Sequence, residues 1–380
     1  MKEPLFYHAD RPMKPFGFGC MRLPVKPDGE IDLPQVEKMI ACFLEHGYCY
    51  FDTAYGYHKQ RSEPALRKTL IDVYPRDQYV LATKLPAWKH TVQTEDDAKR
   101  MFCTQLERLG LDHFDYYLFQ NMGEDRTAAF DRFHLWDFVA DMKRQGIIGH
   151  FGVSFHDKAA SLEALLQAHP EIEFVQLQLN YADWENPIVE SWKCWETAIR
   201  YRKPMVVMEP IKGGNLIMPP PSVRELLRRS PIQQSFADWA LRFAANLPDV
   251  KMVLSGISNQ TQMQENIALF DRMTPLEADE TETIRRAIRA FTEVEQIQCT
   301  GCRYCTEECP GGVNIPKIIT ALNFLRVYGN MHAAEHYYFS NLFLAGKASA
   351  CLGCGSCENV CPQHLPILSL LREARNVFGE

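Results

Sequence analysis

The tail of this chain writes the pattern C-x2-C-x2-C-x3-C-P twice, as CTGCRYCTEECP at 299–310 and CLGCGSCENVCP at 351–362. Two such ladders constrain the fold more tightly than any other feature. The short gaps let successive thiolates converge on one centre, and the proline turns the chain away after the fourth. This is the spacing that wraps three thiolates around a four-iron cluster and sends the fourth elsewhere. The rival readings are zinc sites or disulfides. Zinc sites usually show two CxxC pairs with a long gap between them, not four cysteines in one short run. Eight of the 13 cysteines belong to the ladders: Cys299, Cys302, Cys305, Cys309, Cys351, Cys354, Cys357 and Cys361. The others are Cys20, Cys42, Cys49, Cys103 and Cys194; Cys42 lies in an apolar, helix-like stretch and reads as buried packing.

The ladders resemble those of two-cluster ferredoxins, in which the fourth cysteine serves the other cluster. That resemblance implies two 4Fe-4S clusters in one small domain. One would take Cys299, Cys302, Cys305 and Cys361, and the other Cys351, Cys354, Cys357 and Cys309. Between the ladders, residues 314–346 carry Ile315, Ile318, Ile319, Leu322 and Leu325 at helical spacing. The tail therefore resembles the α-helical kind of dicluster ferredoxin.

Upstream, short apolar runs alternate with amphipathic stretches. The runs are 16–20, 48–54, 79–84, 115–120, 147–154, 174–180, 204–210 and 251–256. Strands apolar on both faces, each followed by a helical stretch, predict a parallel (β/α)8 TIM barrel. The competing open sheet would want a G-x-G-x-x-G turn, which GFGCMR does not complete. The expected domains are a barrel over 1–285 and an α-helical ferredoxin-like domain over 286–380. Asp52, Lys84, Gln120, Ser154, Asn180, Glu209 and Ser255 fall at the C-terminal ends of the runs, where barrel enzymes place their sites.

FDTAYGYHKQRSE resembles the D-T-A-x-x-Y motif of the aldo-keto reductases, and GFGCMRLP, LATKLP, GVSFHD, FVQLQLNYAD and GISNQTQMQEN are similar to further segments of that family. With its tail, the chain resembles the iron-sulfur branch. The resemblance implies nicotinamide-linked hydride transfer to a small-molecule substrate. Asp52, Tyr57 and Lys84 fall on catalytic positions. Tyr57 would donate the proton, Lys84 would lower its pKa, and Asp52 would hold Lys84. Ser154, Gln176, Met208, Lys212, Ser255, Ser258, Gln262, Glu265 and Asn266 fall on cofactor-binding positions. Gln120 replaces the family's histidine, Phe155 follows Ser154 where asparagine is common, and Met208 takes the place of the stacking aromatic. Gln262 lacks the positive charge that would pair with a 2'-phosphate, so both NADP and NAD stay open. Lys212 reads either as a pyrophosphate contact or as a solvated loop lysine. Substrate choice is expected from rim loops such as Trp88 to His90 and Tyr181 to Trp184.

The formal net charge of -7 argues against nucleic acid and anionic membrane as partners. No apolar leader segment and no run of eighteen apolar residues is evident, so the expectation is a cytoplasmic protein. The leading expectation is an iron-sulfur oxidoreductase reducing a carbonyl or a conjugated C=C, its clusters serving a one-electron donor or acceptor protein. The alternatives are an electron-transfer or redox-sensing protein whose barrel binds nicotinamide without turnover, and clusters that merely brace the fold.

Overall fold

A computed structural model describes residues 4–380 apart from 88–91, 188, 233, 298, 300–303, 343–345 and 362, and apart from the side chains of 124–126, 304 and 307. Cys302 and the rim loop Trp88–His90 lie outside the described residues. The chain divides into two compact units. The first comprises Met1–Glu185, Val189–Gly213 and Ala237–Thr281, and the second Asn186–Ile188, Gly214–Phe236 and Glu282–Glu380.

In the first unit, eight parallel strands close into a barrel. They are β1 (Phe16–Gly19), β2 (Tyr50–Asp52), β3 (Val80–Pro86), β4 (Phe114–Met122), β5 (Ile148–Phe155), β6 (Phe174–Gln178), β7 (Met205–Met208) and β8 (Val250–Gly256). Strand β8 pairs with both β7 and β1, which closes the ring. Each apolar run read from the sequence supplies one strand. Alternation along the strands makes two cores. Phe16, Phe18, Phe51 and Leu81 pack with the surrounding helices. Their strand neighbours Tyr50, Val80, Ala82, Leu118, Val206, Met252 and Leu254 form a separate cluster with Phe6 and Phe174. The Phe6 ring lies 5.6 Å from that of Tyr116 and 5.8 Å from that of Phe174. Burying each such aromatic contributes roughly 1.5–3 kcal/mol.

The helices are cut out by local signals. Leu33–Glu45 starts where Asp32 accepts the Gln35 N–H, and it buries Val36, Met39, Ile40 and Phe43 at helical spacing. Glu95–Leu109 opens on a Thr94/Asp97 capping box and stops at Gly110, whose φ of 68° is left-handed. Among the described residues, no helix is long and apolar enough to cross a membrane.

The second unit is helical. The stretch between the ladders forms two helices, Ile315–Tyr328 and Met331–Asn341. Gly329, with φ 63°, ends the first, and Asn330 caps the second by accepting the Ala333 N–H. They pack with Ile367–Phe378 through Ile318, Ile319, Leu322, Tyr338, Leu342, Leu370, Leu371 and Phe378. Asn323 exchanges hydrogen bonds of 2.8 and 2.9 Å with the backbone of Ile297, fixing the segment that leads into the first ladder.

Candidate functional site

Asp52 ends β2, Lys84 lies in β3, and these adjacent strands bring the two side chains together. Lys84 Nζ donates to Asp52 Oδ1 at 2.5 Å and to the Thr53 carbonyl at 2.7 Å. The Tyr57 hydroxyl stands 3.5 Å from the same nitrogen. Asp52 and Lys84 are 2 % and 1 % exposed, while Tyr57 is half-buried. Tyr57 arrives on a tight turn after β2, its N–H donating to the Ala54 carbonyl at 3.1 Å. His58, Lys59 and Gln60 follow with φ of 51°, 56° and 69°, left-handed values that cost side-chain-bearing residues energy. His58 offsets part of that cost by accepting the Leu23 N–H at 3.0 Å.

The electrostatics correct one expectation. Burial raises the Tyr57 phenol above its ordinary value, and Lys84 pulls it back only in part because Asp52 opposes the lowering. The expectation that the ammonium lowers this phenol holds for the Lys84 contribution alone. Burial acts on Lys84 in the opposite direction and would lower it, but Asp52 and Tyr57 outweigh it and hold it as an ammonium.

The other candidates are distributed around the same ends of the strands. Gln120 sits where the β4–β5 register shifts between Phe119 and Met122, a bulge that includes Asn121 at φ 61°. Bulges of this kind re-aim side chains beside active sites. Gln120 Oε1 is buried without a hydrogen-bond partner. Ser154 and Gln176 pair directly across β5 and β6. The Ser154 hydroxyl accepts the Asn121 N–H at 2.9 Å, and Gln176 Oε1 is another buried acceptor without a partner. Buried orphan acceptors are uncommon and call for a donor from outside the chain. Met208 is half-buried at the end of β7, and Ser255 is buried near the end of β8.

Ser258, Gln262, Glu265 and Asn266 gather at the start of the helix Gln260–Asp271. Gln262 Oε1 accepts the Ser258 N–H at 2.8 Å, and Asn266 Nδ2 donates to the Gln262 carbonyl at 2.6 Å. Lys212 is neither open nor solvated. It ion-pairs with buried Asp183, which also accepts from Gln178 and Asn180 at 2.8 and 2.9 Å.

Sequence reasoning missed Arg22. A Cβ on Gly213 would stand 3.0 Å from its terminal nitrogen, and one on Gly256 3.4 Å from its Cδ. Its side chain thus runs past Gly256 at the end of β8, and its guanidinium reaches Gly213 in the segment after β7, far along the chain. The available signal was a basic residue just after GFGC.

In the second unit, Cys309, Cys351, Cys354 and Cys357 line one pocket together with Pro310, Gly311 and Leu352. The fourth cysteine of the first ladder therefore stands with three of the second. Gly311 makes this possible: a Cβ there would lie 2.3 Å from the Ala350 carbonyl oxygen. The Asn314 N–H donates to the Gly346 carbonyl at 2.8 Å, another tie between the flanks of the two ladders. Cysteine sulfurs are the donors a four-iron cluster uses, but among the described residues no three His, Cys, Asp or Glu side chains converge on one metal position, so these four share a pocket wall without forming a closed ligand set. The Val313 N–H donates to Cys309 Sγ and the Gly353 N–H to Cys351 Sγ, both at 3.4 Å. Of the other set, Cys305 is buried and Cys299 and Cys361 half-buried against the same small core.

Comparison with known proteins agrees with both units. The model of the aldo/keto reductase family matches residues 15–218, and that of a 4Fe-4S dicluster domain matches 298–365. An aldo-keto reductase of Mycolicibacterium smegmatis is 26 % identical over 259 residues, covering 67 % of this chain and 83 % of its own. One from Mycolicibacterium vanbaalenii is 27 % identical over 251 residues, covering 64 % and 80 %. Among solved structures, the holo form of an aldo-keto reductase from Bacillus halodurans superposes with a TM-score of 0.57 at 23 % identity, over 73 % of this chain and 93 % of that one. An aldo-keto reductase from Klebsiella pneumoniae in complex with NADPH gives 0.56 at 17 %, over 75 % and 95 %. A family match over more than half the chain, on a closed eight-stranded barrel with Asp52, Tyr57 and Lys84 converging at its rim, places this protein in the aldo/keto reductase family, with a 4Fe-4S dicluster domain in its C-terminal region.

Proposed function

We propose that this protein is a nicotinamide-linked reductase of a small carbonyl or conjugated C=C substrate, with Tyr57 as the proton donor. The observation that carries the reading is the Lys84 ammonium shared between Asp52, Thr53 and the Tyr57 hydroxyl. A reduced nicotinamide, when bound, supplies a hydride. The chain's residues do the rest. Tyr57 gives its proton to the substrate atom that gains charge, and the Lys84 ammonium stabilises the phenolate left behind. Asp52 keeps Lys84 charged and aimed. Gln176 Oε1, an unpartnered acceptor beside Ser154, would hold a carboxamide, and Met208 would offer a soft apolar surface to a ring. Arg22 is the cation suited to a pyrophosphate, and Lys212 would have to leave its pair with Asp183 to join it. Ser255, Ser258, Gln262, Glu265 and Asn266 suit an adenosine, with NADP and NAD both accommodated.

In the same proposal the barrel domain is 1–285 and the cluster domain 286–380. The latter holds one 4Fe-4S cluster on Cys309, Cys351, Cys354 and Cys357, and another on Cys299, Cys302, Cys305 and Cys361. Such clusters, when bound, pass electrons singly to a donor or acceptor protein. The cellular setting fitting oxygen-sensitive clusters and reduced thiols is the cytoplasm.

The test is anaerobic turnover with a panel of aldehydes, ketones and enones. Tyr57→Phe should lose on the order of 10²–10⁴ in rate while nicotinamide affinity stays nearly intact. Full activity in Tyr57→Phe would remove Tyr57 from the chemistry. The orphan acceptor on Gln120, in place of a histidine, favours a second reading in which the barrel binds nicotinamide without reducing any carbonyl. Nicotinamide binding without turnover across the panel would select it.

A further inference from the structure

A second polar network lies behind the Tyr57–Lys84 pair and has no part in the chemistry above. Glu63, 1 % exposed, sits on the short helix Ser62–Leu66 that follows the Tyr57 turn. Its Oε1 accepts the Thr83 hydroxyl at 2.8 Å and Gln105 Nε2 at 2.7 Å. Gln105 Nε2 also lies 3.0 Å from Thr83 Oγ1 and 3.2 Å from the Lys84 carbonyl. Gln105 Oε1 accepts the Tyr117 hydroxyl at 2.7 Å. Thr83, Gln105 and Tyr117 are completely buried. One residue before Glu63, Ser62 Oγ donates to the Cys20 carbonyl at 3.1 Å and lies 2.9 Å from the Thr53 hydroxyl.

A carboxylate this deep is costly, and a barrel wall needs none for packing. Arg108, with Nη1 3.7 Å from Glu63 Oε2, gives charge compensation without a hydrogen bond. What the network does achieve is connection. It joins the Tyr57 turn to β3 at Thr83 and Lys84, to β4 at Tyr117, and to the helix that carries Gln105. The turn needs such an anchor. Three consecutive left-handed residues follow Tyr57, and the 3.5 Å contact between Tyr57 and Lys84 is at the long limit for a hydrogen bond. That contact cannot fix the turn by itself, whereas the buried hydrogen bonds that Glu63 Oε1 accepts from Thr83 and Gln105 tie the turn to β3 and to the helix behind it.

We infer that Glu63 is a positioning residue for the Tyr57–Lys84 pair, pinning the turn that carries Tyr57 to the strand that carries Lys84 through Thr83 and Gln105. The inference rests on the proposed role of Tyr57 and deepens it. Two substitutions separate positioning from packing. Glu63→Met fills the space without an acceptor, and Glu63→Gln keeps the acceptor oxygen. In anaerobic assays Glu63→Met should lose on the order of tenfold in turnover, a fraction of what a misplacement of about 1 Å can cost. Its nicotinamide affinity should stay native. Glu63→Gln should recover most of the loss. A second readout needs no turnover: carbon NMR of ring-labelled tyrosine, with the Tyr57 resonance assigned by its absence from Tyr57→Phe. Tyr57 should titrate higher in Glu63→Met than in the native protein, because its contact with the ammonium is loosened, and near its native value in Glu63→Gln. Should Glu63→Met fail to fold, Gln105→Met cuts the same tie to the Lys84 carbonyl and should give the same pattern. Native turnover with native Tyr57 titration in the folded variant overturns the inference. So does an equal loss in both Glu63 variants accompanied by weakened nicotinamide binding, the mark of a packing role. An active Tyr57→Phe would defeat the proton-donor reading instead, and the Tyr57 titration would still report whether Glu63 positions the ring.

Discussion

The barrel unit and the cysteine unit solve the same problem with different means. The barrel buries ring after ring on both faces of its strands, and its polar groups at the rim are an addition to a core that already closes. In the cysteine unit, the helices Ile315–Tyr328, Met331–Asn341 and Ile367–Phe378 share a core in which several contributors are the cysteines themselves, with Cys305 and Cys357 buried and Cys299, Cys309, Cys351 and Cys361 packed against them. A small core gives little stability alone, so such units rely on metals or cross-links. The lesson is that the barrel's site residues are placed by the fold, whereas the ladder cysteines help to make the fold they sit in.

Removing one thiol should therefore break the two units unequally. With the two clusters proposed above, iron content in anaerobically prepared Cys309→Ala should fall by roughly half, since one of the proposed sets of four ligands would be incomplete. Hydrogen exchange should accelerate across Ile315–Tyr328, Met331–Asn341 and Ile367–Phe378 and stay slow in β1–β8. Zinc in place of iron in the native protein, or uniform exchange in both units, would contradict this division.

A smaller effect is expected at the rim. Gln120 can donate or accept at every working pH, whereas a histidine there would be compact and titratable. Gln120→His should shift the ratio of simple-carbonyl to conjugated-enone turnover toward carbonyls, with the iron content unchanged. An unchanged ratio, with the native protein already efficient on plain aldehydes, removes Gln120 from any account of specificity.

The pH profile sharpens the barrel side further. Burial raises the Tyr57 phenol, so the proton to be donated is present throughout the neutral range and is lost only as pH rises through the raised value. Reductive turnover limited by this step should be flat near neutrality and fall on the alkaline side. A fall with an apparent pKa below that of an ordinary phenol, about 10, would mean that Lys84 outweighs burial once ligands are bound.

The smallest effect belongs to the scaffold. Glu173 accepts the Phe151 N–H and pairs with Lys143 and His150; burial opposes these contacts, yet they hold its carboxyl down at about 2. A depressed carboxylate stabilises the fold above its unfolded pKa, and that contribution fades as pH falls toward 2. Glu173→Gln should cost about 2 kcal/mol in chemical denaturation at neutral pH and less in acid, with the iron content unaffected. Equal loss at both pH values would assign the effect to packing.

The local pattern was legible in one dimension: eight apolar runs became eight strands because alternation and run length are properties of neighbouring residues. The two ladders were equally legible, since cluster spacing is written within a dozen residues. DTAYGY likewise put the proposed Asp52 and Tyr57 within one short run. Closure of the barrel decided what distant residues do to each other. It set Lys84 at 3.5 Å from Tyr57, let burial outweigh the ammonium, and engaged Lys212 with Asp183. It also carried Arg22 past the end of β8 to the segment after β7, and filled the wall behind Lys84 with Glu63 and Gln105. In the second unit, it was the close approach at Gly311 that brought Cys309 to the opposite ladder. Charge, desolvation and hydrogen-bond reach depend on distances across the fold, and a one-dimensional pattern does not contain them.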